Sequence, residues 1–171
     1  MRRCLLGLLL LLTASFASAA DEGALKKMIE TPHLMLTLSA SDASIAPGRH
    51  ITLILEVEPK PTIHLYAPGT RGYVQIDWQI TPSPGLDAGP VSYPAARMLR
   101  LPFLHDTVGV YDSPVRLVRD VVVGPIPDAG SILTSSILTI KGTFHYQACN
   151  DQECYIPRTL SLRWTFHTEK P

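Results

Sequence analysis

This 171-residue chain has only 3 cysteines, and it has no excess of either charge, with 15 Lys and Arg against 15 Asp and Glu. A balanced chain has no general pull toward nucleic acid or anionic lipid, so no nucleic-acid partner is expected. Long hydrophobic runs are scarce too. The one clear run, Leu5 to Leu12 with Gly7 inside it, falls short of the ~20 apolar residues of a membrane-spanning helix. No internal repeat, low-complexity tract or inter-domain linker interrupts the chain. Proline, by contrast, is plentiful at 15 residues, and interior prolines break helices, which excludes an all-helical bundle. A hydrophobic fraction of 46% excludes disorder. What remains is a β-rich chain of one-domain length, able to bury a real core.

The N-terminus reads as an address. Arg2 and Arg3 precede the apolar run and Ala17-Ser18-Ala19 follows it, the layout of a secretory signal peptide cleaved near Ala19. An uncleaved anchor is the alternative, and the short run disfavours it. Cys4 does not follow a small-residue cleavage site, so a lipoprotein anchor is not indicated. Loss of Arg2 and Arg3 from the 15 basic side chains, with all 15 acidic ones kept, leaves a net charge of −2. The expected organisation is a signal peptide over 1–19, a polar lead-in over 20–32 and a folded domain over 33–171. Leu25, Met28 and Ile29 in the lead-in are spaced for one short helix. Export, to the periplasm or outside the cell, places the remaining pair, Cys149 and Cys154, where disulfides persist.

The rest of the chain alternates with period two, the mark of strands with one face toward a core. Leu34, Leu36 and Leu38 form one such series, and Ile51, Leu53, Leu55 and Val57 another. Ala46-Pro47-Gly48 is a turn between them. Further extended pieces are expected at 63–66, 74–80, 115–123, 132–140, 143–148 and 159–167. A Pro/Gly-rich loop is expected over 81–90, and a long connection over 93–104. Eight or nine short strands with turn signals about every 8–12 residues predict an all-β fold, a single immunoglobulin-like β-sandwich. Trp78 and Trp164 are expected in its core. Phe144, Tyr146 and Ala148 fall on the inward parity, and His145, Gln147 and Cys149 on the outward one. His33, His64 and His167 read as surface or hydrogen-bonded residues. Tyr66 fits either the core or a wall around the cysteines.

Cys149 and Cys154 stand at the feet of a hairpin with the polar loop Asn150-Asp151-Gln152-Glu153 between them. Residues opposed across an antiparallel pair lie ~4.5–5.5 Å apart at Cα, within reach of a disulfide. Closing so small a loop stabilises by only about 2 kcal/mol in the chain-entropy model. Such a local pair is better suited to opening and closing than to stapling distant elements. Asp151 and Glu153 disfavour a thiolate, and no helix start follows Cys149. Arg158 and His145 would compensate if they faced each other across the hairpin. Two thiols and one nearby histidine do not match a zinc site, so no metal is expected. An inert structural bridge remains the competing reading.

The residues Tyr146-Gln147-Ala148-Cys149, an acidic loop and Cys154-Tyr155-Ile156-Pro157 resemble the cysteine hairpin of the N-terminal periplasmic domain of the thiol:disulfide interchange protein DsbD. His64-Leu65-Tyr66, Val110-Tyr111 and the following β-branched run resemble further family features in family order. The resemblance implies an immunoglobulin-like domain whose catalytic pair, here Cys149 and Cys154, exchanges disulfides without any cofactor. It implies electrons arriving from a thioredoxin-like domain or membrane electron carrier and leaving to periplasmic disulfide-containing client proteins, cytochrome c maturation among their uses. Cys154 would form the client link. The site's surroundings would be Tyr66, Tyr93, Phe103, Tyr146, Gln147 and Tyr155, with Tyr93 or Phe103 on a shielding loop over 93–104. Ile156 departs from the family's usual first proline, and the loop is shorter than in some members. The sequence carries no membrane or thioredoxin-like part after the hairpin, so these are expected in trans. The alternative function is a non-catalytic immunoglobulin-like binding or assembly module with a structural disulfide.

Overall fold

Alternation of leucine, isoleucine and valine with polar residues builds strands throughout the computed structural model, which describes residues 26–46, 48–101, 106–124 and 137–168. No helix occurs among the described residues. The first sheet contains β1 (Lys27–Glu30), β2 (Leu34–Ala40), β4 (Arg49–Pro59), β10 (Val115–Val123) and β7 (Leu86–Ser92), in that spatial order. The second contains β3 (Ser44–Ile45), β13 (Arg158–Thr168), β11 (Ile137–Tyr146) and β6 (Asp77–Ile80). A small third sheet runs β12 (Ala148–Cys149), β5 (His64–Tyr66), β9 (Asp106–Tyr111) and β8 (Arg97–Leu101).

The first two sheets enclose the core. Leu34, Leu36, Leu38, Leu53, Leu55, Val57, Leu117 and Val121 from one meet Ile140, Phe144, Leu162, Trp164 and Phe166 from the other. Trp78 and Trp164 stack within it at 5.6 Å. Burial drives this packing, each large apolar side chain gaining about 1.5–3 kcal/mol on leaving water. The expected immunoglobulin-like sandwich is the observed fold. Inward parity also holds for Phe144, Tyr146, Leu162, Trp164 and Phe166.

Several local expectations are corrected. In the lead-in, residues 27–30 form β1 rather than a helix, with Ile29 paired to Leu36; the pairing partner β2 outweighs the weak helical spacing. The loop expected over 81–90 contains most of β7. Its Pro90 is tolerated because β7 lies at the sheet edge, where the missing N–H leaves no ladder gap. The connection over 93–104 contains β8, which pairs antiparallel with β9. The runs 132–140 and 143–148 contribute to one strand, β11, that continues through Lys141 and Gly142. Gly142 is there because β6 crosses close: an added Cβ would collide with the Gln79 carbonyl oxygen. The signal-peptide segment, residues 132–136 and Phe103 lie outside the described residues.

Candidate functional site

Where β11 ends, the chain changes sheets. Tyr146 still points into the core and donates from its hydroxyl to Thr31 Oγ1 at 3.2 Å. After Gln147, the two residues of β12 pair with β5 in the third sheet, Ala148 with Leu65 and Cys149 with His64. The backbone then reverses, Asn150 N–H donating to the Glu153 carbonyl and Tyr155 N–H to the Ala148 carbonyl, each at 2.9 Å. Asn150 shapes the turn: its Oδ1 accepts from the N–H groups of Gln152 and Glu153, both at 2.8 Å. Its Nδ2 donates to the Tyr155 hydroxyl at 2.9 Å, and Gln147 Nε2 donates to the Tyr155 carbonyl at 2.9 Å. The Tyr155 ring stacks on His33 at 4.2 Å.

Across this turn Cys149 and Cys154 form a disulfide, their Cα atoms 4.0 Å apart. Its two ends differ sharply in access. Cys149 is 1% exposed, whereas Cys154 is exposed. The expectation that Cys149 lies outside the core and within reach is therefore corrected. Parity counted along β11 does not carry past Gln147, because Cys149 belongs to another sheet and is covered by that sheet's own cluster of Tyr66, Val108 and Val110. Tyr73 and Leu99 pack against the same cluster.

Tyr66 packs beside the disulfide. It is 2% exposed, and its hydroxyl lies 3.9 Å from Cys154 Sγ. Its ring stacks on Tyr73 at 4.2 Å and meets the edge of His64 at 5.5 Å. Burial, and secondarily Tyr73, pushes its phenol up, so it stays a neutral donor. His64, read from sequence as a surface or hydrogen-bonded residue, is 5% exposed, and its Nε2 meets no hydrogen-bond partner. Burial holds its imidazole below the ordinary range; Asp151 and Asp112 oppose that shift and Arg97 adds to it. Asp151 and Glu153 are exposed on the turn.

Of the other expected surroundings, Gln147 and Tyr155 brace the hairpin, while Tyr146 serves the core beneath it. Tyr93 packs against the main core rather than the cluster around Cys149, so the structure does not bring it to the cysteines. His145 and Arg158 do not face each other: His145 pairs with Thr159, and Arg158 with Tyr146. Tyr73 and Leu99 carry no signal in the sequence, and His33 and His64 are named there without a place beside the cysteines, as is Asn150 without its role in shaping the turn. The family-like His64-Leu65-Tyr66 segment pointed toward His64, but nothing local said that β5 is buried throughout.

An immunoglobulin-like sandwich with a disulfide joining a buried and an exposed cysteine at the feet of a sheet-changing hairpin defines a class of disulfide-bearing domain. The family model described as "Thiol:disulfide interchange protein DsbD, N-terminal" matches residues 32–164. The chain belongs to that family and is a thiol:disulfide exchange domain carrying a cysteine pair. Its fold is similar to the N-terminal periplasmic domain of ScsB from Proteus mirabilis, with a TM-score of 0.56 and 16% identity. That match covers 80% of this chain and 49% of the other, so the chain spans about half the ScsB domain's length. The reduced N-terminal domain of DsbD from Neisseria meningitidis overlaps with a TM-score of 0.45 and 15% identity, over 68% of this chain and 82% of that one. Among curated proteins none matches.

Proposed function

We propose that the chain is an exported relay: it takes reducing equivalents from a thioredoxin-like domain or membrane electron carrier and passes them to disulfide-containing proteins of the periplasm. The signal-peptide pattern near Ala19 supports export, and the ScsB domain it resembles in fold is described as periplasmic. One observation carries the reading: a single S–S bond joins a buried residue, Cys149, to an exposed one, Cys154. A donor thiolate reaches Cys154. Its attack on that sulfur breaks the S–S bond and leaves the electron pair on Cys149 Sγ. A second donor thiol resolves the mixed disulfide and frees the dithiol. In delivery, Cys154 attacks a client disulfide, and Cys149 then closes on Cys154 and expels the client thiolate.

Trapping tests the assignment. Cys149→Ala is expected to hold a thioredoxin-like partner as a mixed disulfide through Cys154, whereas Cys154→Ala holds none. The reduction potential of the pair is expected above about −300 mV, the region below which structural bridges fall. Failure of both variants to trap, together with a potential well below that value, would leave the disulfide as a clamp on a binding module.

A further inference from the structure

Among the described residues, two buried side-chain polar atoms meet no hydrogen-bond partner: His64 Nε2 and Trp78 Nε1. A buried polar atom left unpaired costs stability and calls for an explanation. Trp78 lies in the main core, and its indole is a fixed donor. His64 is the cross-strand partner of Cys149. Directly opposed residues in an antiparallel pair carry their Cβ atoms about 4.5–5.5 Å apart on one face of the sheet, so the imidazole and the buried sulfur are neighbours. While the disulfide is closed, that sulfur has no proton to offer.

We infer that His64 is the base that takes the proton from Cys149 during the closing half of the exchange. The inference rests on the relay reading above. Once Cys154 is joined to a client sulfur, Cys149 is a buried thiol, and burial disfavours its thiolate. Its S–H proton passes to His64 Nε2 as Cys149 Sγ forms the bond to Cys154 Sγ. The Cys154–client bond breaks, and its electron pair leaves on the client sulfur. The imidazolium then gives its proton to the departing thiolate or to water. The pair has lost two electrons and the client disulfide has gained them. The charged groups whose fields reach the imidazole are Asp151 on the turn, Asp112 beyond β9 and Arg97 on β8, and the Tyr66 ring on its own strand meets its edge. With the imidazole held below its ordinary range by burial, it is neutral and able to accept at pH 7.

The test uses reduced full-length protein mixed with glutathione disulfide, with rapid alkylation to follow formation of the Cys149–Cys154 bond from the glutathione adduct. His64→Gln keeps a polar group but cannot titrate; His64→Phe removes it. At pH 7 both variants are expected to close about a hundredfold more slowly than the native chain, the low end of what a positioned proton acceptor contributes. The gap should shrink as pH rises past the ordinary thiol range, where solvent alone supplies the thiolate. Thermal melts of both variants check folding, and His64→Gln serves if His64→Phe does not fold. Native-like closing rates in a folded variant, or profiles parallel at all pH, overturn the role of His64 while leaving the relay intact. A native chain that forms no glutathione adduct overturns both.

Discussion

In the main sandwich, Leu34, Leu36 and Leu38 are buried while Met35 and Thr37 between them are partly exposed; in the third sheet, the consecutive residues His64, Leu65 and Tyr66 are all buried. The first pattern belongs to a sheet with one face in the core. The second belongs to a short strand covered on both faces, which draws polar side chains inside with it. Trp164 in the main core donates to the Ser39 carbonyl at 3.0 Å, whereas His64 beside the disulfide has an unpaired Nε2. An unpaired polar atom beside the disulfide is the kind of local rule-breaking expected of a functional site. Trp78 keeps the contrast from being absolute, since its Nε1 is also unpaired within the sandwich.

If stability resides in the sandwich and chemistry in the third sheet, changes in each should leave the other readout alone. The largest effect on folding is expected from Phe144→Ala, which opens a cavity where the side chain is 0% exposed. It should lower stability by about 3–5 kcal/mol in denaturant unfolding, with the reduction potential of the surviving folded protein unchanged. A shifted potential would show that the two regions are not separable. Reducing the disulfide should cost less, about 2 kcal/mol, because the loop it closes is short. Unfolding curves with and without dithiothreitol measure this, and a much larger loss would identify a structural staple.

How far the sequence revealed this division follows from the same contrast. Strands of the sandwich were legible because apolar residues recur at every second position in β2 and β4, and in β13 polar and apolar residues alternate from Leu160 to His167. The cysteine hairpin was legible as a motif. Its orientation was not, because parity ends at Gln147, where the chain passes from the second sheet to the third. Strand β7 was hidden by Gly89 and Pro90, residues an edge strand accepts and a central one rejects. The burial of His64 was not legible because three residues are too few to show which faces are covered, and the strands that flank β5, β9 and β12, are distant in sequence.

Acid should also separate the regions. His33 and His64 are both held below their ordinary range, chiefly by burial, with Arg158 and Lys60 adding to the shift at His33. The unfolded chain therefore takes up protons that the folded one resists, and stability should fall as pH drops below about 6.5. Asp112 is held low by its hydrogen bond to Arg97, so its contribution is lost only further down, through and below the carboxylate range. Titrating the thermal midpoint from pH 7.5 to 5 tests the sign. Combined His33→Gln and His64→Gln substitutions should flatten the slope in that window, and an unchanged slope would put its origin elsewhere.

The smallest effect is expected at Tyr66, and it decides whether this residue only fills space. Tyr66→Phe keeps the ring against Tyr73 and His64 and deletes only the hydroxyl 3.9 Å from Cys154 Sγ. Stability should therefore move by less than about 1 kcal/mol. Because the buried phenol stays protonated through neutral pH, its hydroxyl is a donor available to a thiolate forming on Cys154. In a Cys149→Ala background, where Cys154 is the free thiol of the pair, losing that donor should slow iodoacetamide alkylation by about threefold, what one weak hydrogen bond near 0.7 kcal/mol supports. Equal rates with and without the hydroxyl would make Tyr66 packing alone, and the wall of the site would then consist of shape rather than chemistry.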